Sequence, residues 1–101
     1  MDAIERFFAP DLPAAQGHFP GNPIIPGAVL LSETLKAIAG HLGVALAPGE
    51  IKAAKFLYPA RPGDLVRIEF ARGPTRSIRF TCTAGQKTIL TGVVACAVAP
   101  G

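Results

Sequence analysis

One stretch of this chain can be neither helix nor central strand, and it sits directly before an apolar run that suits a helix. Gly17-His18-Phe19-Pro20-Gly21-Asn22-Pro23-Ile24-Ile25-Pro26-Gly27 leads into Ala28-Val29-Leu30-Leu31. Pro20, Pro23 and Pro26 each fix a backbone angle and remove a donor. Pro26 drives Ile25 toward extended geometry and so sets a boundary just before the helix. A loop this stiff has little conformational freedom to lose on folding. It keeps a histidine, His18, close in sequence to a helix start. The first amides of a helix have no acceptor within it and carry partial positive charge. An imidazole held near such amides is a base beside an oxyanion site.

The rest of the chain reads as short elements joined by turns. Ile4 to Pro10 is a short apolar run, read as a strand, and Asp11 to Gln16 is a turn-rich connector. The helix begins at Gly27 or Ala28 and runs to about Gly40–Gly43, with Gly40 and Gly43 as stop signals. At about 100° per residue, Ala28, Leu31, Leu35, Ile38, Ala39 and Leu42 share one face. Ser32, Glu33, Lys36 and Gly40 share another, and Leu30, Thr34, Ala37 and His41 fill the remainder. So few charges predict a largely enclosed helix. His41, in the last turn, reads as a residue favoured there by the helix dipole.

Ala47-Pro48-Gly49 reads as a turn and Glu50 to Tyr58 as a strand with blurred alternation. Arg61-Pro62-Gly63-Asp64 forms a tight turn. Leu65 to Arg72 alternates, with Val66, Ile68 and Phe70 on one face. Ser77 to Ala84 does the same with Ile78, Phe80 and Cys82. Gly85-Gln86 is a hairpin connection. Lys87 to Val98 is apolar on both faces, which predicts a central strand. Strands joined by such short turns pair antiparallel, and one helix against such a sheet is an α+β arrangement.

Bulk properties narrow the function. A chain of 101 residues reads as a single domain, 1–101. Two cysteines, Cys82 and Cys96, make no disulfide framework. With no signal peptide and no twenty-residue apolar run, the expectation is a cytoplasmic protein with reduced thiols. The net charge is +3. Lys52, Lys55, Arg61, Arg67, Arg72, Arg76, Arg79 and Lys87 are scattered, without interleaved aromatic residues, which argues against nucleic acid. A mild positive field suits an acidic carrier partner. Clustered metal ligands, a phosphate-binding glycine loop and Cys-x-x-Cys are all missing, so no cofactor is indicated.

The loop also carries a family resemblance. His18 to Gly27 resembles the signature of the 3-hydroxyacyl-[acyl-carrier-protein] dehydratases, roughly H-F-P-G-x-P-x-x-P-G, at every fixed position. Phe56, Pro59, Pro62, Gly63 and Asp64 resemble a second stretch typical of that family. The resemblance implies a hotdog fold, an antiparallel sheet wrapped around one central helix. It implies a dimer or a multiple of dimers, with active sites between protomers. It implies an acyl-carrier-protein or CoA thioester as substrate. Dehydration of a 3-hydroxyacyl thioester needs a base at C2, a donor to the thioester oxygen and an acid for the departing hydroxyl. By resemblance His18 is the base and the Gly27 N–H, helped by Ala28, is the oxyanion donor, with Phe19, Pro26 and Ala28 lining the substrate. Imidazole titrates near neutrality and backbone amides suit an oxyanion, so both roles are chemically sound.

The third role departs from the family. Family members carry Glu or Asp fourteen positions after the histidine, and here that position is Ser32. A hydroxyl can hold a water or a substrate hydroxyl but is no comparable acid. Glu33 is displaced by about 100° around the helix, where a surface ion pair with Lys36 is expected. It could replace the acid only through an extra residue in the helix, such as a π-bulge. Three readings stay open: a dehydratase, an acyl-thioester or carrier-binding module without chemistry, and a hotdog thioesterase.

Overall fold

The computed structural model describes residues 2–8, 24–43, 46–73 and 77–96, with the backbone alone at 46–50 and 96. In chain order it contains β1 (Asp2–Phe7), α1 (Gly27–Leu42), β2 (Leu46–Phe56), β3 (Leu65–Arg72), β4 (Ser77–Ala84) and β5 (Lys87–Cys96). The strands form a five-stranded antiparallel sheet in the order β1-β3-β4-β5-β2. Both edges are therefore contributed by the strands that flank the helix in sequence. The helix packs across one sheet face, and Leu30 and Ile38 join Val66, Ile68, Phe70, Ile78, Phe80, Cys82, Leu90 and Val94 in one core.

The clearest alternations fold as read. β3 and β4 have the expected bounds, and Val66, Ile68, Phe70, Ile78, Phe80 and Cys82 all point into the core. The turn between β2 and β3 is closed by the Asp64 amide on the Arg61 carbonyl at 3.0 Å and by the Arg61 amide on the Asp64 carboxylate at 2.8 Å. Its Gly63 has φ 94°, a left-handed angle that suits glycine. β1 begins two residues before the expected Ile4 and ends at Phe7, where the Phe8 amide turns to the Asp64 carbonyl at 3.0 Å. The connector 11–16 lies outside the described residues.

Three features differ from expectation. The helix ends at Leu42, with Gly43 as a left-handed cap whose amide reaches the Ala39 carbonyl at 2.9 Å, so Gly43 stops it and Gly40 does not. The helix is less enclosed than expected, with Leu31, Leu35 and Leu42 only partly buried and Leu30, Thr34 and Ile38 fully buried. Thr34 tolerates this because its hydroxyl donates to the Leu30 carbonyl at 2.8 Å. It also lies 3.5 Å from the Cys82 sulfur. Burial pushes the Cys82 thiol up, the Thr34 contact acting the other way, so this free cysteine is a core residue. The opposite helix face stays partly open in the single chain.

The third difference is β2. Ala47-Pro48-Gly49 lies inside the strand, not in a turn before it, and the strand ends at Phe56, short of Tyr58. Its register against β5 shifts between Leu46 and Ile51 and again between Ile51 and Ala53. These bulges absorb Pro48 and blur the alternation, and an edge strand is where proline is tolerated. β5 also carries an extra residue. Cys82 pairs with Leu90 while Thr83 pairs with Thr88, so Ile89 is bulged and two consecutive residues, Ile89 and Leu90, are both buried.

Gly92 is the tightest point of the sheet. A Cβ there would stand 2.5 Å from the Phe80 ring and 2.7 Å from the Ala53 carbonyl oxygen. Backbone on one side and a buried ring on the other leave little room to yield. Gly92→Ala is expected to cost about 2 kcal/mol of stability, lowering the melting midpoint by on the order of 10 °C. A thermal melt checks this, and an unchanged midpoint would show that β2 shifts freely away from β5.

Candidate active site

Pro26 stands at the helix N-cap with φ −54° and ψ 139°, extended as its ring demands. Its carbonyl accepts the Val29 amide at 2.9 Å and the Leu30 amide at 3.0 Å. The Gly27 and Ala28 amides precede that first turn of hydrogen bonds and point out of the helix start. Among the described residues no side chain caps this end and no acidic side chain stands in the first turn, so the positive end of the helix is not neutralised locally. The approach to it is fixed by a two-stranded contact: Ile25 bridges Ala60, with its amide 2.8 Å from the Ala60 carbonyl.

Gly27 serves a second purpose. The Phe56 ring lies 3.1–3.4 Å from where a Cβ at Gly27 would be. The ring therefore rests on the bare backbone of the helix start. Beside it opens a cavity of about 410 Å³ lined by Ile24, Ile25, Gly27, Leu30, Phe56 and Leu57, continuing to Tyr58 and Ala60. A second opening, of about 420 Å³, runs along the helix between Ala28, Leu31, Ser32, Leu35, Ala39 and Ile51. Both are mostly apolar and both reach the first helical turn, so an acyl group and an amide-bound oxygen can be served at one place.

Ser32 is exposed and faces the second opening. Glu33 lies elsewhere. Its carboxylate accepts from the Arg6 guanidinium at 3.0 Å, in a groove shared with Ile4, Glu5, Ala37 and His41. Its ion-pair partner is thus Arg6 of β1 rather than Lys36. The helix is regular from Gly27 to Leu42, with no inserted residue to turn Glu33 toward Ser32. His41 stands in the last helical turn, 3.7 Å from the Asp2 carboxylate and edge-on to the Phe70 ring at 5.5 Å. His18 and Phe19 lie outside the described residues.

The amide pair at the helix start, the stacked Phe56, the apolar cavities and the serine on the helix can be compared with known proteins. Residues 3–94 match the family described as ApeI-like, ApeI dehydratase. The chain belongs to this family of dehydratases. Its relatives include the 3-hydroxyacyl-[acyl-carrier-protein] dehydratase FabZ of Levilactobacillus brevis, 38% identical over 98 residues, covering 81% of this chain and 66% of that protein. The FabZ of Koribacter versatilis is 34% identical over 109 residues, covering 95% of this chain and 65% of the relative. The chain spans between 42% and 66% of the length of the curated relatives it matches.

Solved structures agree on the fold. The dehydratase heterocomplex ApeI:P from Xenorhabdus doucetiae superposes with a TM-score of 0.75 at 23% identity, over 93% of this chain and 84% of that one. The fluoroacetyl-CoA thioesterase FlK superposes with a TM-score of 0.62 at 17% identity, over 92% and 80%. The antiparallel sheet with one central helix in this ApeI-like chain is the hotdog fold expected from the loop signature. No described helix is long and apolar enough to cross a membrane.

Sequence reasoning missed two residues. Phe56 belongs to the second family-like stretch, but its seat on the Gly27 backbone is set by the fold and not by spacing. Arg6 and Glu33 lie 27 positions apart and only the fold joins them.

Proposed function

We propose that this ApeI-like chain dehydrates 3-hydroxyacyl thioesters carried on an acyl carrier protein or CoA. His18 removes the C2 proton. The Gly27 amide, with that of Ala28, donates to the thioester oxygen as negative charge builds there. The C3–O bond breaks as the C2–C3 double bond forms. The proton taken by His18 returns to the departing hydroxyl through a water held by Ser32, so the products are enoyl thioester and water. Phe19, Pro26 and Ala28 line the substrate. The observation that carries the reading is the acid-free start of the helix, opening onto an apolar cavity lined by Ile24, Ile25 and Leu30. A hotdog chain, identical or related, is proposed to cover the β2 edge and the Leu31–Leu35 face. The heteromeric state of the ApeI:P relative favours such pairing, and a sedimentation mass of one chain alone would remove it.

A second reading has its own support. Ser32 takes the place of the family acid, and Glu33 is held by Arg6; both favour a module that binds acyl thioesters without turning them over. Incubation with a short 3-hydroxyacyl thioester separates the two. Formation of the conjugated enoyl product, followed by its ultraviolet absorbance, is expected for the dehydratase. Saturable binding without product would leave the binding module.

A further inference from the structure

We infer that Phe56 is the yielding wall of the acyl cavity and sets the length of chain that this protein accepts. The inference rests on the acyl-thioester reading above and assigns the cavity beside Gly27 to the acyl chain. That cavity has walls of unequal stiffness. Ile25, Leu30 and Ala60 are 3%, 2% and 1% exposed, so each is fixed by the core behind it. Tyr58 is held from outside by the Lys87 ammonium, 4.9 Å from its ring centre. Phe56 is different. Its backbone is anchored, since it pairs with Leu90 and the next amide, of Leu57, donates to the Ile89 carbonyl at 2.9 Å. The residue is 49% exposed in the single chain, and its ring has no polar atom to tie it and rests against the bare Cα of Gly27.

A ring so placed can swing about its first side-chain torsion without disturbing the strand. In the position seen here it lines the cavity where that cavity meets Gly27. A chain that fills the present 410 Å³ leaves the ring on Gly27. A longer one has to displace it and loses that contact. Phe56 therefore acts on binding of the chain, not on the proton transfers, and is a specificity-determining residue rather than a catalytic one.

The test compares wild type, Phe56→Leu and Phe56→Ala for binding of S-butyl-, S-octyl- and S-dodecyl-CoA thioethers by calorimetry. These probes have no bond to eliminate, so binding is read apart from chemistry. Phe56→Ala is expected to shift the ratio of dodecyl to butyl affinity by at least about tenfold toward the longer chain, the scale on which apolar pockets discriminate by size. Phe56→Leu should shift it part of the way. With 3-hydroxyacyl thioesters, KM for the longer chains should fall while kcat stays level. Ratios equal to wild type in both variants, or no thioether binding by wild type, overturn the inference. If Phe56→Ala fails to melt cooperatively, Phe56→Leu decides. A shifted ratio in a protein that makes no enoyl product would sink the dehydratase reading and leave the role of Phe56 standing.

Discussion

His18→Ala is expected to lower kcat/KM for a short 3-hydroxyacyl thioester by about 10³-fold, within the range that a positioned general base contributes. The loss should fall on kcat, with KM nearly unchanged. A base that takes the C2 proton acts in the transition state and makes little contact with the ground-state substrate, so its removal is not felt in binding. Thioether binding should likewise survive, because the cavity walls Ile25, Leu30 and Phe56 belong to other segments. About 4 kcal/mol of barrier is at stake. A variant that keeps full turnover would show that the imidazole is a structural part of the loop. A variant that loses binding and turnover together would show that the loop has collapsed. His18→Asn, which keeps a polar side chain of similar reach, separates the two: it should bind as wild type does and remain slow.

The expectation depends on an uncapped helix start with its first amides turned outward, and that much follows from local sequence. Pro26 followed by Gly27 forces an extended residue and then a helix, and Pro26 can supply no side-chain cap. The strands legible from alternation, β3 and β4, are interior strands whose inward residues pack on the helix. What local sequence hid is explained by packing. α1 is apolar nearly all round, so periodicity could not choose between the Leu31 side and the Leu30–Thr34–Ile38 side. The choice falls to Thr34, whose hydroxyl is satisfied within its own helix and so can face Cys82. β2 defied alternation because its bulges shift inward and outward residues twice, and a bulge cannot be counted without the partner strand. The Arg6–Glu33 pair and the seat of Phe56 on Gly27 each join distant segments. Neither leaves a mark in spacing.

Ser32→Glu is expected to raise kcat about 10²-fold, the lower end of what a general acid supplies. Ser32 lines the opening that begins at Ala28 and runs along the helix beside Ile51. A carboxyl placed there projects from the second turn of the helix into a mostly apolar channel. Position 32 is exposed in the single chain, but once a bound acyl chain excludes water from the channel, its apolar walls favour the neutral, proton-bearing form, which is the form that donates to a departing hydroxyl. The water-relayed return of the proton then gives way to direct donation, and the gain should appear in kcat rather than KM. Position decides this, not the count of carboxylates. Glu33 is one residue away, yet its carboxylate faces β1 and is paired with Arg6 at 3.0 Å, with both side chains partly exposed. An ion pair this accessible contributes about 0–1 kcal/mol. Glu33→Gln should therefore change kcat by less than about twofold, and Ser32→Glu/Glu33→Gln should keep the gain of Ser32→Glu alone. If Ser32→Glu stays at the wild-type rate while thioethers still bind, elimination is not limited by the missing acid. If Glu33→Gln alone is slow, the acid has been Glu33 throughout, and the helix must rotate by about 100° and break the Arg6 contact each time substrate binds.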